Sequence, residues 1–193
     1  MHTLVFATNN HNKVKEIRAM LGEAFHIITL EEAGIDIDIP EPHATLEENA
    51  TEKSKTIFEM TGQDCFSEDT GLEVEALHGA PGVISARYAG EQKLAADNIE
   101  KVLQEMQGQA NRHAQFRTVI SLIWKGQEHQ FEGICPGVIL TEKQGGEGFG
   151  YDPIFAPAGA GRSFATMTTT EKNQFSHRAK AVQKLIAWLQ ANA

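Results

Sequence analysis

The chain has 193 residues, 41% of them hydrophobic, and 26 Asp and Glu against 17 Lys and Arg give a formal net charge of −9. That balance argues against a broad nucleic-acid surface, which needs a cationic face to displace counterions, but allows a small anionic ligand held by local positive groups. No stretch approaches the roughly 20 apolar residues of a membrane-spanning helix, and no basic leader followed by a long apolar run opens the chain. Cys65 and Cys135 each lie in an apolar stretch and read as buried free thiols of a protein in a reducing cytoplasm. Length and composition allow one α/β unit or two small lobes, and the expectation is one compact domain over residues 1–193, with room for a bilobed form.

Residues 3–8 read as a buried strand, the Asn-rich turn at 9–12 follows, and Val14, Ile17 and Leu21 then recur at helical spacing. A second strand is expected over 25–30, and the acidic, proline-containing segment 31–43 reads as an exposed connection. Thr45 and Glu48 have capping-box spacing and start a helix that turns Leu46, Ala50, Ile57 and Phe58 inward. Cys65-Phe66 is expected as a short strand, closed by a turn at Thr70-Gly71. A half-exposed strand over 72–77 and a turn at Gly79-Ala80-Pro81-Gly82 come next. A helix is predicted over about 95–106, then strands over 116–124 and 128–135 joined as a hairpin around Lys125-Gly126-Gln127, which makes the later sheet partly antiparallel. Phe175, Ala179, Val182, Ile186 and Leu189 form a terminal helical stripe, preceded by capping-box spacing at Thr168 and Glu171.

Several clusters carry chemical potential. A strand entering Thr8-Asn9-Asn10-His11-Asn12-Lys13 and then a helix aims amides, a hydroxyl and an ammonium group at a helix N-terminus, where phosphate is favoured. The same residues would also serve as an ordinary Asn-rich cap, and the Walker-A pattern is absent. Glu68-Asp69, with Glu41 from the acidic loop, could bind a hard cation through oxygen, or form a solvated acidic turn. Gly148-Phe149-Gly150-Tyr151-Asp152-Pro153 offers flexible backbone and two aromatic faces, suited to a purine or to a core. Ser176-His177-Arg178 stands at a helix start, within reach of a base edge or phosphate, or at the surface.

Taken in order, these segments resemble the inosine triphosphate pyrophosphatase, or Ham1-like, family. The resemblance is carried by Ala7-Thr8-Asn9-Asn10 with Lys13, Glu48-Asn49-Ala50 with Lys53, Glu68-Asp69-Thr70-Gly71, Gly79-Ala80-Pro81-Gly82 with Ser85-Ala86-Arg87-Tyr88, the Gly148 to Phe155 block, and Glu171-Lys172-Asn173 with Ser176-His177-Arg178. It implies an α/β fold with an elongated mixed β-sheet, flanking helices and two lobes around a central cleft, assembled as a homodimer. The implied activity is Mg²⁺-dependent hydrolysis of ITP, dITP and XTP to the monophosphate and pyrophosphate. On this sequence Thr8, Asn9, Asn10, His11, Asn12 and Lys13 would hold phosphate, with Lys53 as a further cation on the phosphate side. Asp69 would be general base and metal ligand, with Glu41 and Glu68 as the other metal-side carboxylates. Thr70, Phe149, Gly150, Tyr151, Asp152, Lys172, His177 and Arg178 would contact the nucleotide. Where bacterial members often carry Asp-Asp-Ser-Gly, this chain has Glu68-Asp69-Thr70-Gly71, with a longer first side chain.

Overall fold

The structure is a computed structural model that describes residues 2–21 and 25–192. In chain order its elements are β1 (Thr3–Phe6), α1 (His11–Leu21), β2 (His26–Thr29), α2 (Leu46–Thr61), β3 (Cys65–Val74) and β4 (Pro81–Gly82). They continue with α3 (Ala95–Glu105), β5 (His113–Trp124), β6 (Gln127–Ile139), β7 (Phe155–Pro157), α4 (Thr169–Asn173) and α5 (His177–Asn192). The strands hydrogen-bond in the order β2-β1-β3-β5-β6-β7, with β4 on β3. The sheet is mixed. β1 pairs in parallel with β2, Thr3 opposite His26, and with β3, Val5 opposite Cys65. β4 runs antiparallel to β3 and β7 antiparallel to β6, with Leu72 opposite Gly82 and Gly137 opposite Pro157.

Two compact units divide the chain. The first gathers Met1–Asp69, Thr118–Gly133 and Arg178–Ala193, and the second gathers Thr70–Arg117 and Ile134–His177. In the first, β1 is buried on both faces: Leu4 and Phe6 join Ile17, Ile120, Leu122 and Leu185, while Val5 and Ala7 join Leu30, Ile57 and Ile123. An unbroken apolar run is what a parallel strand covered on two sides requires. The second unit has its own core of Leu72, Val74, Val102, Met106, Phe116, Tyr151, Phe155 and Phe164.

Local chemistry explains most boundaries. The Thr45 side chain accepts the Glu48 N–H at the start of α2, which ends at Gly62 with φ 64°. Between β5 and β6, Lys125 and Gly126 have φ of 50° and 78°, the pair of left-handed residues that a tight hairpin needs.

Three expectations are corrected. β3 does not stop at Thr70-Gly71 but runs ten residues to Val74. Gly71 is there for a close approach, since a Cβ on it would lie 2.6 Å from the Gly82 carbonyl oxygen on the neighbouring strand. The later part of the expected 72–77 strand is instead a 3-10 turn, Glu75–Leu77. The Thr168 and Glu171 capping box is formed, but it starts the separate short helix α4, and α5 begins afresh at His177.

Candidate active site

In the first unit, four charged side chains from well-separated segments lock together around the end of this unit's part of β3. Arg178, at the start of α5 and 2% exposed, donates from Nε to Glu68 Oε2 at 2.7 Å and from Nη2 to Glu68 Oε1 at 2.8 Å. Its Nη1 reaches Glu16 Oε2 on α1 at 2.5 Å, and Lys13 Nζ lies 3.0 Å from Glu68 Oε1. The two-pronged guanidinium–carboxylate geometry fixes orientation as well as charge. Burial pushes the Glu68 carboxyl up, but Arg178 and then Lys13 overcome it and hold it well below its ordinary value of 4.5.

Beside this network, Lys53 of α2 points its ammonium group at three acceptors: Glu41 Oε1 at 2.7 Å, the Glu68 carbonyl at 2.8 Å and Asp69 Oδ1 at 3.0 Å. A lysine has three protons to donate, so these contacts match its capacity. Burial lowers the Lys53 pKa, yet Asp69 and Glu41 more than reverse that and keep it charged. The two carboxylates diverge. Burial, helped by the charge of Glu41, raises Asp69 above its ordinary 3.8 against the pull of Lys53, whereas Lys53 and Lys13 outweigh burial at Glu41 and lower it. Asp69 Oδ1 is held by Lys53, and its buried Oδ2 has no hydrogen-bond partner.

The first loop is built mainly to start α1. Asn10 Oδ1 accepts the N–H groups of Asn12 and Lys13 at 3.0 and 3.2 Å, Thr8 Oγ1 accepts the Asn10 N–H, and Asn9 Nδ2 donates to the Ile37 carbonyl at 2.9 Å. His11 and Asn12 are exposed on the first turn, and Lys13 is the loop residue that reaches the carboxylates.

In the second unit, Asp152 Oδ2 accepts the Phe149 N–H at 2.9 Å and Lys172 Nζ at 2.7 Å. Lys172 Nζ also sits 4.9 Å from the centre of the half-buried Phe149 ring and 5.4 Å from that of Phe164. Tyr151 is buried and donates its hydroxyl to the Ser85 carbonyl at 2.6 Å. His177 is 3% exposed and stacks on Phe116, ring centres 4.6 Å apart and planes 16° from parallel. Thr70 and Gly150 are half-buried.

The structure gives several of the expected site residues partners within the protein. Glu68, expected on the metal side, has both carboxylate oxygens engaged by Arg178 and Lys13. Arg178, expected to meet nucleotide, is enclosed between Glu68 and Glu16. Among the described residues no three His, Cys, Asp or Glu side chains converge as a ready metal cage. What suits a hard cation is the Asp69–Glu41 pair, because a buried carboxylate oxygen without a donor is the ligand that a small oxygen-seeking ion takes, completing its shell with water and phosphate. Glu16 and Ser85 were not singled out from the sequence. The signal for Glu16 is an acid one helical turn past Lys13, beside the apolar stripe residue Ile17, which marks a carboxylate turned inward.

Residues 4–188 match the Ham1 family. The dITP/XTP pyrophosphatase of Flavobacterium psychrophilum is 50% identical over 183 residues, covering 95% of this chain and 96% of that protein. A protein of the same name from Porphyromonas gingivalis is 50% identical over 186 residues, with 96% of each chain covered. Among solved structures, the Ham1 protein of Staphylococcus aureus superposes with a TM-score of 0.90 at 38% identity, covering 99% of this chain and 100% of that one. A nucleoside-triphosphatase, dITP/XTP pyrophosphatase from Mycobacterium abscessus, gives 0.77 at 34% identity, covering 96% and 98%.

Proposed function

Because the chain belongs to the Ham1 family, we propose that it hydrolyses deaminated purine nucleoside triphosphates, ITP, dITP and XTP, to the monophosphate and pyrophosphate, clearing them from nucleotide pools. The observation that carries the reading is Asp69: one oxygen pinned by Lys53, the other buried and open, on a carboxyl raised above the usual range. The fixed Oδ1 leaves Oδ2 to meet the cation and, beside it, to orient the water that attacks the α-phosphorus. Lys13 and Lys53 place positive charge where the leaving pyrophosphate gathers negative charge.

Magnesium is the cofactor of this reading, held by Asp69 and Glu41, and when bound it neutralises phosphate oxygens and stabilises the leaving group. Glu68 and Arg178 then serve as the rigid backing that keeps Asp69 in place. Within Thr8 to Lys13, the Lys13 ammonium and the exposed His11 and Asn12 side chains would meet phosphate, and the half-buried Phe149 ring would offer a face for the purine. Selection of a deaminated base needs a donor for its C6 carbonyl, because the amino group of adenine would leave that donor unmatched at about 1–3 kcal/mol. A homodimer in a reducing cytoplasm completes the proposal, supported for the compartment by two buried free thiols. Among the described residues no helix is long and apolar enough to cross a membrane.

The test is pyrophosphate release from ITP, XTP, ATP and GTP with and without Mg²⁺. Rapid turnover of ITP and XTP alone, lost on chelation and restored by Mg²⁺, is the expected result. Equal turnover of all four, or none of ITP, overturns the reading.

A further inference from the structure

Two side-chain contacts are among those that tie down the loop that carries Phe149. At one, Asp152 Oδ2 takes the Phe149 N–H and Lys172 Nζ. Gly148 has φ 76°, and a Cβ there would come 2.1 Å from Asp152 Oδ2, so the turn closes tightly on that carboxylate. At the other, the Tyr151 hydroxyl donates to the Ser85 carbonyl at 2.6 Å. Burial pushes the Tyr151 phenol above its ordinary value of 10.0, so it stays a donor through the neutral range.

Ser85 is itself fixed. It is 7% exposed, and its Oγ accepts the Leu72 N–H of β3 at 2.9 Å while donating to the Gly82 carbonyl of β4 at 2.6 Å. One serine thus anchors two strands by its side chain and the aromatic loop by its carbonyl. A ring that must stack on a base contributes more affinity when it is already held in position, because less side-chain and loop freedom is lost on binding.

We propose that Ser85 and the Tyr151 hydroxyl are a positioning pair that presets the Phe149 ring for the purine base, and so governs base affinity and selectivity rather than the phosphorus chemistry. This rests on the nucleotide reading above. Neither atom pair needs to touch substrate: the Tyr151 hydroxyl is satisfied by Ser85, and Ser85 acts through Tyr151 and the strands.

Steady-state kinetics of Tyr151→Phe, which keeps the buried ring and deletes the hydroxyl, tests the pair. The KM for ITP should rise by up to about tenfold with kcat within about twofold, the scale of one buried hydrogen bond, and the preference for ITP over ATP in kcat/KM should shrink in parallel. Ser85→Ala should move both in the same direction, and the double variant should lose less than the product of the single losses, because both act on one loop. A lowered Tm with unchanged KM and unchanged preference, or a fall in kcat alone, overturns the proposal and leaves the contact purely structural. Calorimetric titration of ITP into Asp69→Asn protein, with and without Tyr151→Phe, reads the same loop without turnover. If the unmodified protein releases no pyrophosphate from ITP, the proposed reaction fails, yet weaker ITP binding by the Tyr151→Phe form still supports the pair, and equal binding overturns it.

Discussion

Asp69 pays for its readiness to act, because the environment that raises its pKa also penalises its charge in the folded state. Replacing it by Asn removes the buried charge while keeping shape, so Asp69→Asn should cut kcat by at least about 100-fold and leave urea stability at neutral pH equal or higher. A variant with near-normal kcat would remove Asp69 from the base and ligand role. Glu68 has the opposite sign. Its carboxyl is held below its unfolded value of 4.5, so its stabilisation is fully present above that pH and is lost as pH falls below it toward the folded pKa. Glu68→Gln leaves the buried Arg178 charge with Glu16 alone and should cost about 3–5 kcal/mol in urea titrations at neutral pH. It should also flatten the acid limb of the stability curve. A loss below about 1 kcal/mol would show that Glu16 alone compensates Arg178.

At the scale of elements, α2 matters because it delivers Lys53 to Asp69 and Glu41. Its first turn depends on Thr45, whose hydroxyl accepts the Glu48 N–H and donates to the Glu48 carboxylate at 2.8 Å. Thr45→Ala should cost about 1 kcal/mol, measured as a lower Tm, with KM for nucleotide unchanged; an altered KM would place the cap in the substrate path. β3 is more demanding. Gly71→Ala forces a Cβ against the Gly82 backbone, and backbone cannot swing aside as a side chain can. We expect soluble protein with a loss above about 2 kcal/mol, and unaltered urea stability would mean that β4 yields. The caps and the hairpin were legible in the sequence because their partners stand within a few residues. The continuity of β3 was not, because Thr70-Gly71 looks like a turn until the β4 backbone opposite Gly71 is known.

For the molecule as a whole, neither compact unit is a continuous stretch of chain. The main core of the first unit needs Leu4 and Ile17, Ile120 and Leu122, and Leu185 and Leu189 together. A fragment of residues 1–117 lacks two of these three contributions and should show no cooperative thermal transition by circular dichroism; a sharp transition would mean that the first segment completes a core alone. What the sequence determined by itself was the family, the mixed α/β architecture, the helix starts and the two patches of residues suited to phosphate and to a base. Those signals are local in spacing or specific in order. Only the tertiary structure decided who neutralises whom. Arg178 meets Glu68 across 110 residues and Glu16 across 162, and Lys53 reaches forward to Asp69 and back to Glu41. A buried charge must take whichever opposite charge the packed chain brings to it, and that choice, unlike a cap or an apolar stripe, leaves no periodic trace in the sequence.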